Sequence, residues 1–213
     1  MVNILVFCAV LAAGYVIGSV PFGYIIGRVN GKDIRKEGSG NIGATNVTRV
    51  IGPWAGKLCF LLDFCKGLAP VLLVKLLILG KIMADPVWGL APVLMIFAVV
   101  LGHMFTCFLN FKGGKGIATA VGGVAAVAPI PALAAFVIWL AVFKISGYVS
   151  LGSIVAAVAL PVLVWLTGLL KISAPQPWSV IAFFVLLALV AVWTHRSNIK
   201  RLLAGTENSF KKK

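Results

Sequence analysis

Residues 111–119 read Phe-Lys-Gly-Gly-Lys-Gly-Ile-Ala-Thr and lie between two long apolar runs. Lys112 and Lys115 supply positive point charge. Gly113, Gly114 and Gly116 free the main chain to turn N–H groups toward a ligand, and the apolar run from Ile117 reads as the start of a helix. Glycine, lysine and a helix N-terminus are the parts from which anion sites are made. A flexible basic loop at a membrane face has the same composition, and this stretch alone does not choose between the two. It is not a Walker A loop, which needs Ser or Thr directly after Gly-Lys. Gly116 follows Lys115 here, so nucleotide hydrolysis is not implied.

A second polar concentration, Gly38-Ser39-Gly40-Asn41-Ile42-Gly43-Ala44-Thr45-Asn46-Val47-Thr48-Arg49, gathers hydroxyls, amides and one guanidinium with little bulk. A site for a small polar ligand has that character; a turn-rich loop accounts for the Gly and Asn but not for the density. Gly38, Gly40 and Gly43 match G-x-G-x-x-G, but that fingerprint works only after a strand in a βαβ unit, and an apolar helix precedes it here. Asn46-Val47-Thr48 is a glycosylation sequon that a cytoplasmic loop would leave unused.

Other polar residues are isolated within apolar surroundings. Asp63 and Lys66 stand three apart on one helical face and can pair. Unpaired, each would cost about 2.5–3.5 kcal/mol in hydrocarbon. His103 closes an apolar run and reads as a hydrogen-bonding strut or as a base. Ser150 stands at a helix start, either as its N-cap or as part of a second helix terminus facing an anion. His195, Arg196, Asn198, Arg201 and Glu207 follow the last apolar run. Snorkelling anchors would explain the arginines and the terminal lysines, but not Asn198 or Glu207.

The elements that must carry these residues follow from composition. Of 213 residues, 61% are hydrophobic and 11% charged, with a mean hydropathy of +1.08; soluble domains are about one quarter charged. The expectation is an all-α polytopic membrane protein, one membrane-embedded domain over 1–213. No basic segment precedes the first apolar run, which points to a retained span and not a cleaved signal peptide. The four cysteines lack metal-ligand spacing and read as small hydrophobes, so neither metal nor cofactor is called for. The 19 basic residues against 5 acidic give +14. They cluster at the ends of the apolar runs, which points to anionic headgroups, an anionic substrate and orientation signals, and not to nucleic acid.

Apolar runs cover residues 2–28, 54–79, 86–108, 117–128, 131–143, 151–170 and 178–193. Gly14 and Gly18, and again Gly23 and Gly27, lie four apart and would let a neighbouring helix approach. The basic segments 29–53, 109–119 and the tail 194–213 belong on the cytoplasmic side, together with 146–153. An even number of crossings must then separate the glycine loop from the tail. Residues 117–143 therefore supply two crossings, as short helices broken at Pro129 and Pro131, or none, as a re-entrant pair. The first version gives seven spans, with the N-terminus outside and the C-terminus cytoplasmic.

Taken together, these stretches resemble a known family. Gly38-Ser-Gly-Asn-Ile-Gly-Ala-Thr-Asn46 with Arg49 resembles the first signature of the PlsY family, the bacterial membrane acyl-phosphate:glycerol-3-phosphate acyltransferases. Asp63-x-x-Lys66-Gly67 looks like its second-helix motif. Gly102-His103-x-Phe105-x-x-Phe108-x-x-Phe111-Lys-Gly-Gly-Lys-Gly116-Ile-Ala-Thr119 is similar to its second signature, and His195-Arg-x-Asn198-Ile-x-Arg201-Leu-x-x-Gly205-x-Glu207 to its third. Tyr148-Val-Ser150-Leu is similar too. The likeness runs in order from about Gly18 to Glu207. One departure is Thr106, where the family usually has proline.

The resemblance implies transfer of a fatty acyl group from acyl phosphate to glycerol 3-phosphate, giving lysophosphatidic acid at the cytoplasmic face of the bacterial inner membrane. Partners would be the two substrates, membrane lipids and the soluble enzyme that makes acyl phosphate. Because acyl phosphate is already activated, positioning and charge stabilisation are what remain for the protein. The expected chemistry is direct attack by the glycerol hydroxyl, with no acyl-enzyme. Many glycerolipid acyltransferases use His-x₄-Asp instead, but Phe108 and Lys200 stand five after the two histidines, and no Cys-His or Ser-His pairing is evident.

On this reading Arg49, Lys112 and Lys115 neutralise phosphate. Ser39, Thr45 and Asn198 orient glycerol 3-phosphate, while Ser150, His195 and the Gly113–Gly116 main chain hold the acyl phosphate. Asn41, Asn46, His103 and Thr119 are further candidate substrate contacts, and Asp63 with Lys66 a structural ion pair. An organic-anion transporter also breaks helices at a charged site, but such sites lie at mid-membrane between internal repeats, and the sequence has no such repeat. A lipid-binding scaffold would not need three separate polar signatures.

Overall fold

The computed structural model describes residues 4–82, 85, 87 and 89–211, and every regular element among them is a helix. The starts expected for two apolar runs, at Val2 and Pro86, and the last two lysines lie outside the described residues. The chain divides into two compact units, the first ending at Val127 and the second beginning at Ala128.

In the first unit, α1 (Ile4–Ser19) and α2 (Phe22–Val29) are separate helices. Pro21 has no N–H to continue the ladder and clashes with the preceding turn, so the helix stops and restarts there. α1 lies against α5 (Ala91–Met104) because Gly14, Gly18 and Gly102 have no side chain: a Cβ at Gly18 would collide with the Val99 carbonyl, and one at Gly102 with that of Tyr15. Gly23 and Gly27 behave differently from expectation. They receive not a helix but the polar loop, whose Ile42 carbonyl and Ile34 side chain occupy the space a Cβ would need. Ile34, Ile42, Val47 and Cys59 form a small buried core under that loop.

The loop leads into α3 (Ala44–Val50) and α4 (Pro53–Leu79). Pro53 suits the first turn of α4, where its missing N–H has no partner to lose. α4 and α6 (Ile117–Val127) approach through reciprocal glycines: a Cβ at Gly67 would meet the Thr119 carbonyl, and one at Gly122 the Phe64 carbonyl. α6 has 11 residues, about 16 Å at 1.5 Å per residue, roughly half a bilayer core. Near its far end the Ala126 carbonyl accepts from Lys75 Nζ of α4 at 3.0 Å. Lys75 therefore supplies a donor and positive charge where a helix C-terminus exposes carbonyls.

The second unit holds α7 (Pro129–Ser146), α8 (Val149–Leu169), α9 (Trp178–Thr194) and α10 (Arg196–Leu203). Residues 117–143 thus belong to two helices that break at the prolines, as expected. The second is longer than expected because Pro129 and Pro131 fall in its first turn and it runs on to Ser146. Gly147, with φ 78°, closes α7 in the left-handed conformation that glycine adopts without cost. The tail folds back on this turn, the Phe210 N–H donating to the Gly147 carbonyl at 3.0 Å.

By length and composition four stretches suit a bilayer crossing: Ile4–Val29, Ala91–Leu109, Pro129–Ser146 and Val149–Leu169. α9 and α10, bent by 58°, make a fifth if taken together. α4, with 27 residues, has the length but carries Lys57, Asp63, Lys66 and Lys75.

Candidate active site

The polar loop before α3 is held from within by one side chain. Asn46 is 1% exposed. Its Oδ1 accepts from the Ser39 N–H at 2.8 Å, and its Nδ2 donates to the carbonyls of Ile34 (2.9 Å) and Glu37 (3.1 Å). Gly38, φ 61°, leaves room for that amide, which a Cβ there would strike. Both Nδ2 hydrogens and one bond to Oδ1 are thus spent on the loop. Asn41 likewise turns its own chain, its Oδ1 accepting from the Gly43 N–H at 2.8 Å. Ser39 is exposed, and Thr45 and Arg49 are half-buried on α3. Beside them Arg35 grips Asp33 at 2.7 Å and covers the Tyr24 ring at 4.6 Å. That guanidinium holds the Asp33 carboxyl well below the usual carboxylate range.

The glycine loop is organised by the end of α5. Thr106, fully buried, takes φ −62°, the angle a proline would impose. Its hydroxyl donates to the Ser19 carbonyl and accepts from the Phe108 N–H. Thr106 therefore keeps the bend that a proline would give and adds a tie to α1. The chain next turns through a 3₁₀ segment (Cys107–Leu109) and two left-handed residues, Asn110 (φ 51°) and Phe111 (φ 59°), and doubles back. The N–H groups of Gly113 and Gly114 then donate to the carbonyls of Met104 (2.9 Å) and His103 (3.1 Å). The first two N–H groups of the Gly113–Gly116 stretch thus hold the loop itself. Lys112 is exposed and Lys115 half-buried, and Gly116, φ 76°, turns the chain into the first turn of α6.

Behind the loop lies a buried polar cluster. Lys66 Nζ is 2.7 Å from Asp63 Oδ1 and donates to the Val20 carbonyl at 2.8 Å. His103 Nδ1 lies 3.6 Å from the same Asp63 oxygen and 3.3 Å from Thr119 Oγ1. His103 is 5% and Thr119 0% exposed, so both are buried behind the loop. Although the sequence has no His-x₄-Asp, the fold brings a carboxylate from α4 to a histidine of α5. Its Nδ1 side faces Asp63, and its Nε2 side faces Gly114.

In the second unit, Glu207 gathers the polar residues of the tail. Its Oε1 accepts from Ser150 Oγ (2.9 Å) and Asn198 Nδ2 (2.6 Å), and its Oε2 from Arg201 Nε (2.6 Å). Burial alone would raise its pKa, but the donors of Asn198, Ser150 and Arg201 bring it below the ordinary value. Ser150 is not the N-cap of α8; Tyr148 stands there, without a side-chain cap, and Ser150 sits one place inside the helix with its hydroxyl turned to Glu207. His195 is buried, and its Nδ1–H meets the Ala191 carbonyl at 2.8 Å, which fixes the ring and puts the acceptor of the neutral form on Nε2. Glu207 as a common acceptor was absent from the sequence reading. The signal was there, in an acidic residue stranded in a basic tail.

Residues 8–205 match the family model described as glycerol-3-phosphate acyltransferase. Similar curated proteins carry the same name in Desulforamulus reducens (45% identity, 93% of this chain and 92% of that one) and in Geobacter sulfurreducens (42%, 99% and 100%). Among solved structures, the chain is similar to the integral membrane glycerol 3-phosphate acyltransferase PlsY. The match to its glycerol 3-phosphate form has TM-score 0.82 and 40% identity over 96% of both chains. The match to its lysophosphatidic acid form has TM-score 0.80 and 39% identity over 96% and 95%.

Proposed function

This chain belongs to the glycerol-3-phosphate acyltransferase family, and on that premise we propose that its acyl donor is a fatty acyl phosphate and that transfer is direct. The glycerol hydroxyl oxygen bonds to the acyl carbonyl carbon, the carbon–oxygen bond to phosphate breaks, and inorganic phosphate leaves with the electron pair. The hydroxyl proton passes to a substrate phosphate oxygen. No protein nucleophile takes part. Lysophosphatidic acid is the product, made for phospholipid synthesis.

The observation that carries this reading is the setting of Lys112, Lys115 and the α6 first turn. Two lysines flank the two glycines whose N–H groups are held by Met104 and His103, and a helix N-terminus follows. An anion with a good leaving group needs charge stabilisation there more than a base. In the first unit Arg49, Lys112 and Lys115 neutralise phosphate, while Ser39 and Thr45 orient the glycerol moiety. In the second unit His195, Asn198 and Ser150 are read as phosphate contacts, the last two held in place by Glu207. The basic loops put these residues on the cytoplasmic side of a bacterial inner membrane, with the N-terminus outside and the C-terminus inside. The soluble maker of acyl phosphate is then a natural partner.

The test is purified protein in lipid with labelled glycerol 3-phosphate and either palmitoyl phosphate or palmitoyl-CoA. Lysophosphatidic acid from the phosphate donor alone is expected. Product from the CoA donor alone would overturn the donor assignment, and a product-free acyl-enzyme burst in rapid quench would overturn direct attack.

A further inference from the structure

Gly114 is not required as glycine by its backbone. Among the glycines of the loop only Gly116 has a left-handed φ, so alanine at 114 would adopt the native main chain. What excludes a side chain is one ring. A Cβ at Gly114 would collide with His103 Nε2 and stand 3.1 and 3.2 Å from Cδ2 and Cε1 of the same imidazole. At Gly113 the obstacle is different: a Cβ there would strike the His103 carbonyl, main chain that no side-chain substitution removes. The imidazole itself is gripped from behind, with Thr119 Oγ1 at 3.3 Å and Asp63 Oδ1 at 3.6 Å, and Asp63 is in turn fixed by Lys66 at 2.7 Å.

We propose that His103 is a positioning residue for the phosphate-binding loop, its ring forming the floor on which Gly114 rests while Asp63 and Thr119 set the height and tilt of that floor. α4, α5 and α6 each contribute one side chain to the arrangement, so the loop's position is referred to all three helices. Lys112 and Lys115 flank Gly113-Gly114, so lifting Gly114 moves the charges that meet phosphate. His103 does not touch substrate in this scheme; the loop lies between them. The proposal rests on the reading of the loop as a substrate-phosphate site given above.

A double-mutant cycle on the full-length protein in lipid tests it, read in KM for each phosphate-bearing substrate, kcat and Tm, the KM that answers being that of the substrate whose phosphate the loop holds. Gly114→Ala in the wild-type background is expected to raise KM at least about tenfold, the scale of loss from displacing positioning groups by a fraction of an ångström to an ångström. In the His103→Ala background the same substitution is expected to change KM by less than about threefold, because the clash is gone and the two sites are coupled. Gly113→Ala is the control and should cost the same factor in both backgrounds. His103→Asn keeps a polar group toward Asp63 with less bulk and serves if the alanine variant unfolds. Equal cost of Gly114→Ala in both backgrounds would overturn the proposal, as would rescue of Gly113→Ala. A wild-type protein that makes no product with either donor would instead sink the functional reading, and the cycle in Tm would still decide whether the ring is what Gly114 packs on.

Discussion

Lys66 Nζ lies 2.7 Å from Asp63 Oδ1, one helical turn away on α4, with the two side chains 3% and 2% exposed. Breaking such a pair by removing one partner leaves an uncompensated charge, at a cost of about 3–5 kcal/mol. Asp63→Asn and Lys66→Met are therefore expected to lower Tm sharply in detergent. The double substitution should be more stable than either single one, which equilibrium or thermal unfolding of all four proteins would check. A loss in the double variant equal to the sum of the two single losses would mean that the two side chains act independently.

Asn46→Ala removes the acceptor of the Ser39 N–H and the donor to the carbonyls of Ile34 and Glu37. Each buried group left without a partner costs about 1–3 kcal/mol. The expected outcome is faster proteolytic nicking within residues 34–43 and a fall in kcat/KM, with helix content unchanged by circular dichroism. An uncut, fully active Asn46→Ala protein would show that the loop holds its shape without this amide.

Glu207 should make stability depend on acidity. Its native pKa is lowered from an ordinary value of 4.5, so in the window below 4.5 the unfolded chain binds more protons than the folded one. Stability then rises with pH across that window and is lost as pH falls through the native value. Tm of the wild type should drop below about pH 4.5 more steeply than that of Glu207→Gln, whose side chain does not titrate. Parallel curves would remove Glu207 as the cause.

Lys112 is exposed, so Lys112→Ala should leave Tm close to that of the parent. Its expected effect is on the reaction: loss of a charge aimed at phosphate is worth about 10²–10³-fold in turnover. Lys112→Arg keeps the charge but not the compact ammonium, and is expected to recover part of that loss. Unchanged kinetics in Lys112→Ala would move phosphate stabilisation to Lys115 and Arg49.

What the sequence made legible was local. The all-helical class follows from composition, and the approach of α1 to a neighbour from Gly14 and Gly18. The Asp63–Lys66 contact needs only a three-residue spacing on one helix. The contacts missed all depend on tertiary placement. Nothing in the chain says that Asp63 will meet a histidine 40 residues later, because that requires α4 and α5 to pack in one register. Asn46 has a type that suits a ligand contact or a loop tie, and its bonds to the carbonyls of Ile34 and Glu37 depend on the folded loop. Ser150 was misplaced by two residues of helix start, a boundary set by Gly147 and the returning tail and not by the side chain's own capping preference. The break at Pro129 was legible because proline both ends and begins helices, but the length of the helix it starts was not.

The bonds from the Gly113 and Gly114 N–H groups to Met104 and His103 have a consequence for how an anion is received. A loop that must be ordered by its ligand pays conformational entropy out of binding free energy, about 1–2 kcal/mol for each residue fixed. Here the main chain is already tethered at two successive glycines, the residues with most freedom to lose. On the proposed function, an incoming phosphate would meet a preorganised cradle, leaving more of its interaction energy to act on the transition state.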